Sequence, residues 1–517
     1  MAQPQQELPP LTGGTLVLAT VALSLATFMN VLDTTIANVS IPTIAGNVGV
    51  SPNQGTWVIT SFAVANAISV PLTGWLTQRF GQVHLFVTSV LLFVLASLLC
   101  GLSTSLEMLI FTRVLQGAVA GPMIPLSQAL LLNSYPKAKS GMALAMWSMT
   151  TLVAPVLGPI LGGWISDNYS WPWIFYINVP VGLIAAWLSW RLLKHRESAT
   201  RQLPIDGVGL GLLVIGVGSL QVMLDKGKDL DWFASGQIVA LAVAAVVALT
   251  FFVIWELTER HPVVDLTLFK SRNFATGALA VSLGYSLFFS TVVIMPLWLQ
   301  QFMGYTATWA GIVTAPIGIL ALLMSPVVGR ILPHTDPRWL ASFAFLIFAG
   351  TAFMRAGFNT NVDMMAVVIP QLIQGAAMAT FFVPLTAVTL SGLPPERIPA
   401  AAGLSNFLRI MAGGMGASIS TTLWEDRASL HHAHLMDHLN LYDPGTVHAL
   451  QGMTALGLSP GQTLASLEQQ VTRQAYMLSA TDLFWLSGVL FLMLTVVIWL
   501  SRPVRKPAGA SSAAGAH

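Results

Sequence analysis

Apolar residues run through the chain in long blocks, each closed by charges, proline or glycine. The blocks predict helices near residues 15–41, 55–78, 84–102, 106–133, 140–165, 172–193, 206–225, 235–257, 274–303, 308–331, 338–358, 364–391, 400–424 and 480–501. A helix needs about 20 apolar residues to cross a hydrocarbon core, and these blocks are of that order. Fourteen membrane helices and an all-α fold are therefore expected. Short alternating segments of about ten residues, the pattern of an outer-membrane barrel, do not describe the chain.

One acid, Asp33, is the only carboxylate expected well inside a helix. Asp33 lies in a run from Leu16 to Ile41 that has no other charge, so its carboxylate falls inside the membrane profile, where ionisable groups are costly. At helical spacing Thr27, Asn30, Asp33, Thr34 and Asn38 share one face, and Phe28, Leu32, Ile36 and Val39 occupy the other. A rise of about 1.5 Å per residue places Asp33 about 27 Å from Thr15, in the outer half of a bilayer. The stripe suggests a proton site at Asp33 and a polar cavity wall formed by Asn30, Thr34 and Asn38.

Composition narrows the class. The 517-residue chain is 55% hydrophobic and 9% charged, with a mean hydropathy of +0.72. A soluble domain carries about 25% charged residues, so this is a polytopic membrane protein. The net charge of +2 points to no nucleic-acid or acidic partner. Its distribution says more. With the N-terminus inside, the inner segments hold Arg79, Lys137, Lys139, Arg191, Lys194, Arg196, Arg201, Arg260, Lys270, Arg272, Arg330, Arg338, Arg397, Arg502, Arg505 and Lys506. The outer segments hold only Lys226, Lys228, Arg355, Arg427 and Arg473, so both termini are expected in the cytoplasm. The opening MAQPQQELPPLTGG lacks the basic flank and cleavage site of a signal peptide, which leaves the first helix in place. Cys100 stands alone, excludes an intramolecular disulfide and reads as a small buried hydrophobe.

Other residues carry candidate chemistry. Arg113 puts a permanent cation inside a helix, with Gln116 one turn on and Gly117 allowing close helix contact. Near an acid it would favour the charged form and make proton affinity depend on their separation; alternatively backbone carbonyls satisfy it. Arg409 is the second such cation, able either to snorkel or to reach a cavity. If it reaches one, the site suits neutral, weakly acidic or monocationic amphiphiles better than dications. Pro155, Gly158, Pro159, Gly162 and Gly163 predict a bent, tightly packed helix at 147–165, either a gate or a packing kink. Met146, Trp147 and Met149, and Tyr285, Phe288, Phe289 and Trp298, are candidates for an adaptable apolar pocket, or for surfaces that face lipid or core.

The halves echo each other. RVLQGAVAGPMIPL at 113–126 parallels QLIQGAAMATFFVPL at 371–385, and the shared glutamine adds Gln116 and Gln374 to the candidate cavity residues, with Trp147 and with Asn406 beside Arg409. The expected organisation is a six-helix bundle at 1–193, a basic linker and two inserted helices at 194–273, a second bundle at 274–501 and a tail at 502–517. Residues 425–479 form a long outer loop with two helical runs. Ser459 and Pro460 stand at a helix start, and His431, His434 and His438 share a face that reads as a solvated surface rather than a zinc site.

Between the second and third helices stands GWLTQRFGQVHLF, with Gly74, Arg79 and Gly81. Together with VLDTTIANVSIPTIAG, RVLQGAVAGPMIPL and PVLGPILGGWISDNYSWPWIFYINVPVG, it resembles the major facilitator superfamily, specifically its fourteen-helix drug:proton antiporters. The turn departs from the superfamily pattern, with Gln78 where that pattern has Asp and Gln82 and Val83 where it has basic residues.

The resemblance implies alternating access by two rocking bundles, with Asp33 and Arg113 in proton coupling and the Gly-Pro run as antiporter motif. It also implies hydrophobic drug substrates, a periplasmic membrane fusion adaptor that 425–479 would contact, and an outer-membrane channel. No phosphate-loop motif is present, and no cofactor, metal or catalytic set is expected. A dedicated exporter of one metabolite, or a membrane sensor or intramembrane enzyme, are the alternatives.

Overall fold

The computed structural model describes residues 11–136, 153–154, 157–200, 204–259, 262–332, 334–394, 397–440 and 442–503. Every regular element among them is helical. In chain order they are α1 (Gly13–Val48), α2 (Pro52–Gly55), α3 (Trp57–Ser69), α4 (Thr73–Phe80), α5 (Gln82–Gly101), α6 (Leu106–Ala120) and α7 (Met123–Ser134). Residues 157–168 form α8. There follow α9 (Trp173–Tyr176), α10 (Asn178–Leu193), α11 (Gly207–Lys226), α12 (Gly236–Thr258), α13 (Arg272–Phe302), α14 (Ala307–Thr314), α15 (Ile317–Ile331), α16 (Pro337–Ala356), α17 (Met364–Leu390), α18 (Ile398–Asp437), α19 (Pro444–Ala455) and α20 (Pro460–Trp499).

Among the described residues eleven helices are long and apolar enough to cross a membrane, or twelve when the pair Pro52–Ser69 and Thr73–Phe80, bent by 59°, counts as one span. The protein is thus an all-helical, multi-pass membrane protein. Two expected spans fall outside that count. Residues 140–152, 155 and 156 of the span at 140–165 lie outside the described residues, and the span at 400–424 lies in α18, where Ser405, Asn406, Arg409, Ser418 and Ser420 dilute the apolar character.

Several boundaries shift for local reasons. α1 continues through Pro42 to a left-handed Gly49 cap. The block at 308–331 splits at Ala315 and Pro316, because proline removes the donor that would continue α14. The outer loop is less separate than expected. α18 runs on to Asp437, and α20 starts at Pro460 behind a Ser459 capping box, so both extend well beyond the expected spans into the 425–479 segment. Asp443 caps α19, a further short helix between them.

α1, α5, α7 and α10 pack around Leu23, Phe86, Phe93 and Leu131. α13, α16, α17 and α20 pack around Phe345, Phe348, Phe381 and Phe491. α11 and α12 pair with each other, and α11 lies against both α3 and α18. A third cluster joins Val39 and Ile41 of α1 and Ile59 of α3 to Val293 and Leu297 of α13 and Ala307 of α14.

Candidate functional site

On α1 the hydroxyl side chains satisfy themselves locally: Thr27 donates to the Leu23 carbonyl and Thr34 to that of Asn30, each 3.1 Å away. A carboxylate has no hydrogen to donate backward, so Asp33 needs donors from other helices. It receives three. Arg113 Nη1 of α6 lies 2.5 Å from Oδ2, Gln116 Nε2 lies 3.1 Å from Oδ1, and Asn178 Nδ2 of α10 lies 2.8 Å from Oδ1. Asp33, Arg113 and Gln116 are 0% exposed and Asn178 is 1% exposed.

The cation has further partners besides Asp33. Arg113 donates to Gln116 Oε1 at 2.6 Å and through Nε to the Val58 carbonyl at 2.9 Å, and its guanidinium lies 4.2 Å from the Phe62 ring centroid. Ser97 supports Asn178 at 2.9 Å, and the Cys100 thiol reaches Gln116 Oε1 at 3.5 Å. The structure thus brings Asp33, Arg113 and Gln116 into one cluster. Asn178 and Ser97, which complete it, were not among the sequence candidates; neutral polar residues in apolar blocks leave no charge or periodic signal to single them out.

Beside this cluster lies a cavity of about 1810 Å³ between the two helix groups. Asn30, Thr34 and Asn38 line it from α1, Tyr285, Phe288 and Phe289 from α13, Gln374 and Phe382 from α17, and Asn406 and Arg409 from α18. Asp33, Arg113 and Gln116 do not line it. Gln116 therefore belongs to the ion pair and not to the cavity wall, because its amide is consumed by Arg113 and Asp33. Trp298 likewise leaves the pocket set: it is fully buried and stacks on Phe358 at 6.0 Å. Trp147 and Pro155 lie outside the described residues.

Polar groups on the cavity wall differ in how far they are satisfied. Asn30 donates to the Ala120 carbonyl at 3.1 Å, whereas both amide atoms of Asn38 are buried without a hydrogen-bond partner. Gln374 accepts from Arg355, a cation 1% exposed that also reaches Gln371 at 3.2 Å. Arg409 donates to Asn406 and lies 5.0 and 5.2 Å from the Tyr285 and Phe382 centroids. It reaches the cavity rather than snorkelling away.

The cavity has one open and one sealed end. Gly74, Gln78 and Gln82, Pro204 to Asp206 and Pro262 to Asp265 border the open end. Arg79 is exposed in the last turn of α4, and Gly81 takes φ 86° between α4 and α5. There Glu197 caps α5, accepting from the Val83 and His84 amides at 3.0 and 2.9 Å.

At the sealed end Gln300 donates to the Val39 carbonyl at 2.9 Å, and the Thr308 amide to Asp167 at 2.7 Å. Gly158 faces Thr35 and Gly162 faces the Ile36 carbonyl, while Gly163 and Pro159 meet α14 at Ala307 and Gly311. Asp225 of α11 joins the seal: it accepts from Thr60 of α3 at 3.0 Å, from Gln221 at 3.1 Å and from Ser418 of α18. Asp33 is consequently not the only acid held among the helices, as the sequence reading had it; Asp225 and Glu256 are others. Farther out, His431 and His432 pair with Asp482 and Glu468, each at 2.8 Å.

Comparison with known proteins agrees with this architecture. The Major Facilitator Superfamily pattern matches residues 23–417. The chain is 54% identical to the multidrug export protein EmrB of Escherichia coli K12, over 99% of both chains. It is 50% identical to the fatty acid resistance protein FarB of Neisseria gonorrhoeae, over 96% of this chain and 98% of that one. Among solved structures a D-xylose–proton symporter superposes with a TM-score of 0.62 at 14% identity, covering 95% and 99% of the two chains. A bacterial homologue of the lysosomal transporter Spinster, inward-facing and unoccupied, gives 0.61 at 15% identity, over 96% and 100%.

Proposed function

The chain belongs to the major facilitator superfamily and is a transporter, and from that premise we propose that it is a proton-driven multidrug efflux antiporter of the inner membrane. The observation that carries this reading is the buried Asp33–Arg113 pair, whose carboxylate stands on the same helix, α1, that lends Asn30, Thr34 and Asn38 to the cavity. Protonation of Asp33 removes the charge that holds Arg113, Gln116 and Asn178, so proton binding and the packing of α1 against α6 and α10 are linked. α1 then transmits the change to the cavity wall. Fourteen spans, in two six-helix bundles with α11 and α12 inserted between them, provide the rocking units, and the α8 glycines provide the outer gate.

The distribution of basic residues supports an orientation with the open end of the cavity and both termini in the cytoplasm and the sealed end outside. The conformation is inward-open. Substrates are hydrophobic or amphiphilic small molecules held on Tyr285, Phe288, Phe289 and Phe382. Deep in the cavity Arg409 is the formal charge on its wall, which disfavours dications. One proton crossing ~150 mV supplies about 3.5 kcal/mol at ~2.3 kcal/mol per 100 mV, enough for two to three decades of substrate gradient at about 1.4 kcal/mol per decade. The extended ends of α18 and α20, with α19, are the contact for an EmrA-like membrane fusion adaptor, which connects to a TolC-like outer-membrane channel.

Reconstituted vesicles test the reading. With the cytoplasmic face on the outside, an acid interior should drive uptake of a fluorescent amphiphile, and a protonophore should abolish it. Uptake indifferent to the pH gradient would remove proton antiport.

A further inference from the structure

At the open end of the cavity the first turn of α11 meets the last turn of α12. Asp206 caps α11: its Oδ1 accepts from the Gly209 amide at 2.8 Å and from the Trp255 indole at 2.9 Å. Its Oδ2 is buried and has no donor. Glu256, 2% exposed, directs Oε2 to the Val264 amide at 2.9 Å, and its Oε1 is likewise buried without a donor. Both orphaned oxygens border the same small space beside Gly209, where an added Cβ would strike the two carboxylates at once.

Two ionised carboxylates in this arrangement would repel each other, and two buried acceptors would remain unsatisfied. Among the described residues little nearby offsets that charge. Glu259, the residue that follows α12, adds further negative charge, and Asp265, on the segment packed over the pair, is engaged by Arg397 at 2.6 Å. Among the described residues no Lys, Arg or His forms an ion pair with Asp206 or Glu256. A single proton between the orphaned oxygens resolves both problems: one carboxyl becomes a donor, the other accepts, and the charge of the pair falls from two to one. A hard cation fits less well, since it takes six or more oxygen ligands and two carboxylate oxygens border this space.

We propose that Asp206 and Glu256 form a proton-binding pair, holding one proton between Asp206 Oδ2 and Glu256 Oε1, at the mouth of the transport cavity. Because Asp206 lines that mouth, the proton exchanges with the open end and not with the sealed Asp33 cluster. Loss of the proton sets two charges against each other and loosens the junction of α11 with α12. That the open end is cytoplasmic rests on the proposed orientation; the binding of the proton does not.

Infrared difference spectroscopy of the full-length protein in lipid nanodiscs tests this directly. Near neutral pH the native protein should show the C=O stretch of a protonated carboxyl that disappears in both D206N and E256Q, because the new amide N–H takes the place of the shared proton. G209A, which leaves both acids in place, should shift the titration of that band by about one pH unit, a tenfold change in proton concentration. A native band untouched by D206N and E256Q would overturn the proposal. So would absence of the band, with sodium, potassium or magnesium ions raising thermal stability in its stead. The spectrum does not depend on transport, so failure here is distinct from failure of the efflux reading.

Discussion

At the scale of single residues, the Asp33 cluster is held by complementarity that no member can leave cheaply. Replacing Arg113 with Ala strands a buried carboxylate, and such an uncompensated charge is worth about 3–5 kcal/mol, whereas Asn178→Ala removes one charge-assisted hydrogen bond of about 1.5–3 kcal/mol. Thermal unfolding in detergent should rank the two in that order; equal stability would mean that Arg113 is satisfied chiefly by Val58 and Gln116. Asp33 and Arg113 were legible in the sequence because a charge stands out against apolar neighbours. Their contact was not, since 80 residues separate them and nothing in one sequence reports which helix faces meet. Asn178, Ser97, Arg355 and Asp225 escaped for related reasons. Two are neutral, and the other two sit near helix ends, where a charge looks like loop chemistry.

At the scale of elements, the seal depends on backbones approaching closely. A Cβ at Gly163 meets the backbone of Ala307 and Thr308, neither of which can rotate away. Gly163→Ala should therefore separate α8 from α14 at an overpacking cost of about 1–3 kcal/mol. Cysteine pairs placed across that contact should cross-link more slowly, and an unchanged rate would place the seal elsewhere.

At the opposite end Asp265 joins the segment before α13 to α18 through Arg397 and caps Thr267 at 3.1 Å. Burial pushes its carboxyl up, but the Thr267 hydrogen bonds and Arg397 outweigh it and hold the group below its usual range. The clasp's contribution is present above the unfolded value of about 3.9 and is lost as pH falls through the folded value. As a partly exposed pair it is worth about 0.2–1 kcal/mol. Hydrogen exchange over residues 262–272 should rise only in that acid window, and a rise near neutral pH would contradict the assignment. The elements themselves were largely legible: α11 and α12 start and stop within one residue of the apolar blocks. The breaks at Ala315 and at Gly121 were not, because hydropathy continues smoothly across a bend.

At the scale of the whole molecule, the chain's asymmetry lies in what projects beyond the bundles. α18 and α20 are each 40 residues long, twice what a bilayer requires, and their outer ends are tied by the His431–Asp482 and His432–Glu468 pairs. Removing 430–470 and joining the ends with a short flexible linker should leave the membrane helices folded while abolishing co-purification with the proposed membrane fusion adaptor. Retained co-purification would move the adaptor contact elsewhere. The sequence made the helical class, the runs within this projection and the polar stripe of α1 readable. It could not give the cavity, because a space between two groups of helices exists only once they are packed.

Coupling through Asp33 is the central claim, and one measurement tests it most directly: transport of a fluorescent amphiphile into proteoliposomes under an imposed pH gradient, comparing the native protein with Asp33→Asn. The amide keeps the size of the side chain and removes its titration. Folded D33N should bind the amphiphile yet show no gradient-driven accumulation, retaining at most passive exchange. Accumulation by D33N at the native rate and to the native level would contradict the account.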